Sequence, residues 1–285
     1  MSKLKPRAPL PLLATLIVAA CHGGSAERNV AAAPDHGPDQ GNAAAPAVTP
    51  APAATPTPPA SAVSIKSNTG GLEFAYGWPA QVAAIPELDH WLRDNADKLR
   101  RDAARAAAAD MAEARKNDYD MPDHSYQETW KVVGEGPALL ILQSEGYVYT
   151  GGAHGMPLVT TLFWDKAAKR RLGAGDLFDM GRLIPAVRQA FCKALDDERA
   201  KRRGAPVDKT DTGGIADFVS CVDPTKQIVL PVAGHGGALD TIRFVILPYE
   251  AGPYAEGIYQ LDLPVTDAVM AAVKSGYRGA FSVGG

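Results

Sequence analysis

From Ala43 to Ala62 the chain reads AAAPAVTPAPAATPTPPASA. Ala, Pro and Thr supply nearly all of it, with almost no large apolar side chain. Such a segment cannot bury enough surface to offset the entropy lost on ordering. Its prolines favour extended polyproline II, a semi-rigid spacer of about 3.1 Å per residue. The stretch before it, from His22, is equally poor in core-forming residues. Folding therefore has to begin near Val63. The remainder, Val63 to Gly285, is long enough for one large domain or two small ones.

The residues before this spacer carry an export signal. Lys3, Lys5 and Arg7 make a positive start, and Leu10 to Val18 is an apolar run too short to span a bilayer. It closes on Val18-Ala19-Ala20-Cys21, where small residues suit a signal peptidase. The cysteine directly after them resembles the lipobox of bacterial lipoproteins. That resemblance implies a signal peptide over 1–20 and a Cys21 that is acylated and becomes the N-terminus. An ordinary signal peptide cleaved nearby, with Cys21 incidental, is the alternative. Each acyl methylene buried in a membrane contributes about 0.8 kcal/mol, so the expected partner is a lipid membrane that the chain does not span. His22 after the cysteine, rather than Asp, implies by resemblance to Gram-negative lipoproteins the periplasmic face of the outer membrane. Residues 21–62 then form the lipidated cysteine and its disordered linker. With 29 Lys+Arg against 32 Asp+Glu there is no basic field for nucleic acid.

Beyond Val63 the periodicities change. Leu72 to Pro79, LEFAYGWP, alternates and predicts a strand. Pro86 can open a helix, and Leu88, Trp91, Leu92, Leu99, Ala103, Ala107 and Met111 recur at helical spacing to a stop near Asn117-Asp118. Asp97 and Arg101 are spaced to pair on its exposed face. SYQETWKVVGEG, ALLILQSEGYVYT and MPLVTTLFWD then alternate or run apolar between Gly-rich breaks, predicting an antiparallel meander with a further hairpin tip at Lys166 to Arg171. A second unit follows. Leu183, Ile184, Val187, Phe191 and Leu195 share one helical face. QIVLPVAG, DTIRFVILPY and GIYQLDLPV read as strands, and Thr266 to Ser275 as a closing helix. Strand runs with packed helices, without regular βαβ alternation, indicate an α+β fold of two successive units, 63–175 and 176–285.

The order of strand, long helix and meander with GGAHG, then DLF and a helix, then PYEAGPYAEG (Pro248 to Gly257), resembles a known pair of domains. These are the PdaC-type deacetylase-associated domain and the RsiV-type C-terminal domain, a domain of unknown function. The resemblance implies an α+β fold at the cell envelope but not one activity. Members occur beside polysaccharide deacetylases and in an anti-sigma factor that binds lysozyme.

The candidate site residues fall in the two motifs. In YVYTGGAHGMP, Gly151 and Gly152 suit the positive φ of a turn, beside Tyr149. His154 either holds this loop by hydrogen bonds or serves as a general base or metal ligand. Zinc sites usually contain a close ligand pair such as HExxH or CxxC, and His90, His124, His154 and His235 stand singly, so no metal and no cofactor is expected. Tyr249, Glu250 and Tyr254 lie between and beside Pro248 and Pro253. They either recognise a carbohydrate or protein, or pack on the core with only their hydroxyls wet. Should the two loops meet, His154, Tyr249 and Glu250 share one surface. Of 3 cysteines, Cys192 and Cys221 remain after Cys21 and are expected to pair in an oxidising compartment, with free buried thiols as the alternative. The functional expectation is a non-enzymatic binding module for a muramidase (lysozyme) or peptidoglycan. An envelope glycan hydrolase or deacetylase using His154, and a purely structural lipoprotein, are the alternatives.

Overall fold

The computed structural model describes residues 60–210, 214–234 and 237–284, all in one compact unit. The expected signal peptide, Cys21 and most of the expected linker lie outside the described residues, as does His235. Among the described residues no helix is long and apolar enough to cross a membrane.

Val63–Thr69 (β1) and Leu72–Trp78 (β2) form a hairpin on Gly70 and Gly71, both at positive φ. A short helix Ala80–Ala83 (α1) and the long helix Pro86–Lys116 (α2) carry the chain back to His124–Glu135 (β3). This crossover makes β2 and β3 parallel. Leu139–Tyr149 (β4), Met156–Asp165 (β5) and Arg170–Leu172 (β6) continue antiparallel, giving one six-stranded sheet in sequence order. Pro86 at the first turn of α2, with Glu87 and Asp89 after it and Arg115 and Lys116 in its last turn, suits the helix dipole. On the exposed face Asp97 pairs with Arg100, three residues on, in place of the expected Arg101.

Ala174–Leu177 (α3), Met180–Arg203 (α4), Ile228–Ala233 (β7), Leu239–Ile246 (β8), Tyr259–Pro264 (β9) and Asp267–Ala272 (α5) complete the fold. Strands β7-β8-β9 form a second, antiparallel sheet. The expected α+β architecture of antiparallel-rich sheets and packed helices is present.

Strand alternation explains how the parts are joined. Leu140 and Leu142 of β4, with Leu162 and Trp164 of β5, face α2 and pack with Leu88 and Leu92. Their neighbours Leu139, Ile141, Val159 and Phe163 face the other way, into a core shared with Phe191, Leu195, Leu230 and Phe244. The LLIL run is thus buried on both faces, which is why it reads as continuous rather than alternating. The second core covers only part of that far face. Gln127, Thr129 and Tyr147 remain exposed beyond it.

Candidate functional site

The connection Thr150–Gly155 between β4 and β5 is shaped by its glycines. Gly151 and Gly152 have φ of 99° and 84°, which side chains rarely adopt. At Gly155 a Cβ would stand 2.4 Å from the Val148 carbonyl and 2.5 Å from the Tyr147 ring, so only glycine lets the returning strand lie so close. Tyr147 and Tyr149, two residues apart, project from one face of β4. The Gly155 amide donates to the Tyr147 hydroxyl at 2.7 Å, and the Tyr149 hydroxyl donates to the Gly152 carbonyl at 3.0 Å.

The opposing wall is the connection between β8 and β9. Tyr249 sits at φ 72°, a left-handed conformation costing on the order of 1–2 kcal/mol for an L side chain. Its amide donates to the Gly252 carbonyl at 3.0 Å, and its side chain is 51% exposed. Strain of this kind clusters at ligand-binding segments. Tyr254 opens a 3-10 turn, Tyr254–Glu256, and its hydroxyl crosses to the Gly155 carbonyl at 2.9 Å.

His154 joins the two walls. Its ring stacks on Tyr254 at 3.8 Å with planes 22° apart, and lies 6.3 Å from the Tyr249 ring. Nδ1 is 3.0 Å from the Gly155 carbonyl and Nε2 is 3.2 Å from the Tyr249 hydroxyl. One neutral tautomer satisfies both, with Nδ1–H donating and Nε2 accepting from the phenol. Loss of hydration, and then the neighbouring Tyr147 and Tyr249, hold the Tyr254 hydroxyl above the ordinary tyrosine range. It therefore stays protonated and remains a donor to the loop.

The Tyr249–Tyr254 segment is fastened from behind by the last turns of α4. Arg199 is 0% exposed. Its Nε and Nη2 donate to the Ala251 carbonyl at 3.0 and 2.8 Å, its Nη1 to Ser220 at 2.7 Å, and its Nη2 also to Asp217. Arg203 grips Glu256 with two parallel bonds of 2.7 and 2.9 Å. Burial pushes the Glu256 carboxyl up, but the bonds from Arg203 and Tyr259 outweigh it and hold it below its usual range. Arg202 reaches the Glu256 carbonyl and lies 4.1 Å over the Tyr259 ring. Cys192 of α4 and Cys221 are joined, their sulfurs 2.03 Å apart. The bridge secures the segment whose Asp217 and Ser220 carbonyls meet Arg199.

The structure therefore brings His154, Tyr249 and Tyr254 together, with Tyr149, Gly151 and Gly152 building the turn beneath them. Glu250 is placed differently from Tyr254. It lines an adjoining cleft of about 380 Å³ with Tyr249, Asp217, Asp223, Lys226 and Gln227. The other described histidines stand apart from this cluster. His90 pairs with Asp94 on the surface of α2, and buried His124 lies 3.2 Å from Asp110. Among the described residues no group of three or more His, Cys, Asp or Glu is placed to hold a metal ion. Sequence reasoning missed Tyr147 and Arg199. Tyr147 shares the alternation phase of Tyr149, and Arg199, Arg202 and Arg203 share one helical face in ERAKRR, which are the signals that could have found them. Chemically, the arrangement offers aromatic rings, phenol hydroxyls and nearby carboxylates on a rigid surface, and a histidine whose two nitrogens are both engaged.

Residues 65–157 match the family model described as "Deacetylase PdaC". No curated protein matches the chain. A DUF3298 family protein from Pseudomonas aeruginosa PAO1 has a similar structure, at 19% identity and a TM-score of 0.50, over 76% of this chain and 95% of that one. A member of the same family from Bacteroides fragilis NCTC 9343 is similar at 15% identity and a TM-score of 0.50, over 78% and 96%. At these identities the likeness is one of fold. A PdaC-type domain at 65–157, in a chain with the fold of the DUF3298 structures, agrees with the domain pair expected from the sequence.

Proposed function

We propose that this chain is an outer-membrane lipoprotein, anchored through acylated Cys21, whose folded part binds a muramidase of the lysozyme type without catalysis. The observation that carries the reading is the stack of His154, Tyr254 and Tyr249 beside Tyr147. It is assembled from two connections and stiffened from behind by Arg199. Rigid, partly exposed tyrosines give large contact area at low entropic cost, which is the usual anchor of a protein interface. Asp217, Asp223 and Glu250 flank Tyr249 and would steer a cationic partner, which a lysozyme is. The engagement of both His154 nitrogens supports a loop-holding role, since catalysis would first have to free one of them.

Peptidoglycan itself is the second reading. Tyr147, Gln127 and Thr129 on the uncovered sheet face offer a ring and polar groups together, as sugar binding requires. Hydrogen–deuterium exchange of the full-length protein with c-type lysozyme tests the choice. Protection confined to residues 147–157 and 247–257 is expected. Protection elsewhere, or none, overturns the site. Protection of the sheet face by soluble glycan fragments but not by lysozyme moves the assignment to peptidoglycan. Acetate release that disappears in His154→Ala would replace both with the deacetylase alternative.

A further inference from the structure

A second cleft, of about 400 Å³, opens at the other end of β4. At about 3.3 Å per residue, Leu140 there lies about 23 Å along the strand from Tyr147. Its floor is apolar, formed by Ile85, Leu140 and Trp164, of which the last two are buried. Its rim carries both signs of charge. Lys166 donates to Glu135 at 2.5 Å, with Gln81 on the same carboxylate, and Lys169 donates to Glu87 at 2.7 Å.

The two lysines are held in place by the hairpin tip between β5 and β6. Asp165 accepts from the amides of Ala167 and Ala168 at 3.0 and 2.8 Å and from the Tyr277 hydroxyl at 2.9 Å. The Lys166 amide bonds the Ala138 carbonyl at 2.9 Å, and Lys169 itself takes a left-handed φ of 51°. Glu87 is fixed in the first turn of α2, directly after Pro86.

We propose that this cleft binds a small zwitterion with an apolar side chain, that is, a free amino acid or a short peptide. The floor takes the side chain. The ligand's carboxylate meets the lysine and its ammonium the glutamate of one rim pair, so that pair is exchanged for two new ones. Exposed ion pairs are worth only about 0–1 kcal/mol each, so the exchange costs little. A ligand bearing a single charge would displace one partner of a pair and leave a like charge beside it. The cleft's size falls within the range of small-molecule sites, roughly 300–1,000 Å³. This site is independent of the aromatic surface and of any muramidase.

Amide chemical shifts of the full-length protein test it, with L-leucine, L-leucyl-L-leucine, L-leucinamide and N-acetyl-L-leucine as probes. Saturable shifts at residues 81–87, 135–140 and 164–169 are expected from leucine or dileucine. The amide and the N-acetyl derivative should bind about tenfold or more weakly. Whichever of the first two binds tighter identifies amino acid or peptide as the ligand. Lys169→Ala and Glu87→Gln, both exposed changes, should each weaken binding several-fold while leaving the lysozyme footprint intact. Equal shifts from all four probes, or no saturable shift by about 10 mM, would overturn the proposal.

Discussion

Replacing Arg199 with methionine keeps the stem's volume and removes the charge that fastens the Tyr249–Tyr254 segment. The Ala251 carbonyl is the costliest loss, because Ala251 is 0% exposed and accepts from both Nε and Nη2. A buried acceptor left without a donor costs about 1–3 kcal/mol. Ser220 and Asp217 are exposed residues, so each lost bond to their carbonyls contributes only about 0.5–1 kcal/mol. Relief from burying a guanidinium offsets part of this; that burial is the main influence holding its pKa below the usual value. The balance is a loss of about 3 kcal/mol, a large share of the 5–15 kcal/mol that typically holds a domain folded. For a folded part of this size that lowers Tm by about 6–12 °C. Urea denaturation gives the free energy, and hydrogen exchange across residues 247–257 shows whether the segment has loosened. Arg199→Lys should fall between wild type and methionine, since an ammonium keeps the charge but not the planar fork. A loss below about 1 kcal/mol, or unchanged exchange in 247–257, would refute the view that Arg199 anchors the site.

Other expectations follow from the same contacts. Gly155→Ala places a methyl against the Val148 carbonyl and Tyr147 ring, so thermal melts should show a loss of about 1–3 kcal/mol and lysozyme binding should weaken with it. Replacing Cys192 and Cys221 by serine opens a 29-residue separation, and urea denaturation should register a loss of about 3–4 kcal/mol. The Ala168 amide, then the Tyr277 hydroxyl and Ala167 amide, hold the Asp165 carboxyl below the usual range against a smaller opposing effect of burial. Its stabilising effect is therefore complete above the unfolded carboxylate pKa of about 4 and lost as pH falls through the lower folded value. Asp165→Asn should flatten the acid limb of a stability–pH curve, and an unchanged limb would contradict this.

The helices that were legible in the sequence are those with a single buried face. Leu88 and Leu92 of α2, and Leu183, Val187, Phe191 and Leu195 of α4, lie on the predicted stripes and are buried. The strands flanking the two motifs were legible from their alternation or, in β4, from a continuous apolar run. What escaped notice depended on long-range placement. Strand β1, VSIKSNT, is a half-exposed edge with little apolar signal, so its residues were placed in the folded part but not read as a strand. The parallel pairing of β2 with β3 is set by where α2 returns the chain, which no local pattern encodes. The Asp97 partner differs by one position because i+3 and i+4 neighbours lie equally near on a helix. Arg199 was hidden within a run of charges that reads as a solvated face. Helical phase puts it four residues after Leu195 on the buried stripe, unlike Lys201, but its charge reads as solvated and only tertiary packing supplies its partners. Glu250 stood beside Tyr249 in sequence, yet the left-handed turn at Tyr249 separates it from the ring stack.

The most direct test of the central claim is calorimetric titration of the full-length protein with a c-type lysozyme. Micromolar or tighter affinity, about −8 kcal/mol or better, lost in Tyr249→Ala and Tyr254→Ala variants that keep the wild-type melting temperature, is the predicted result. No heat of binding from protein shown to be folded would contradict it.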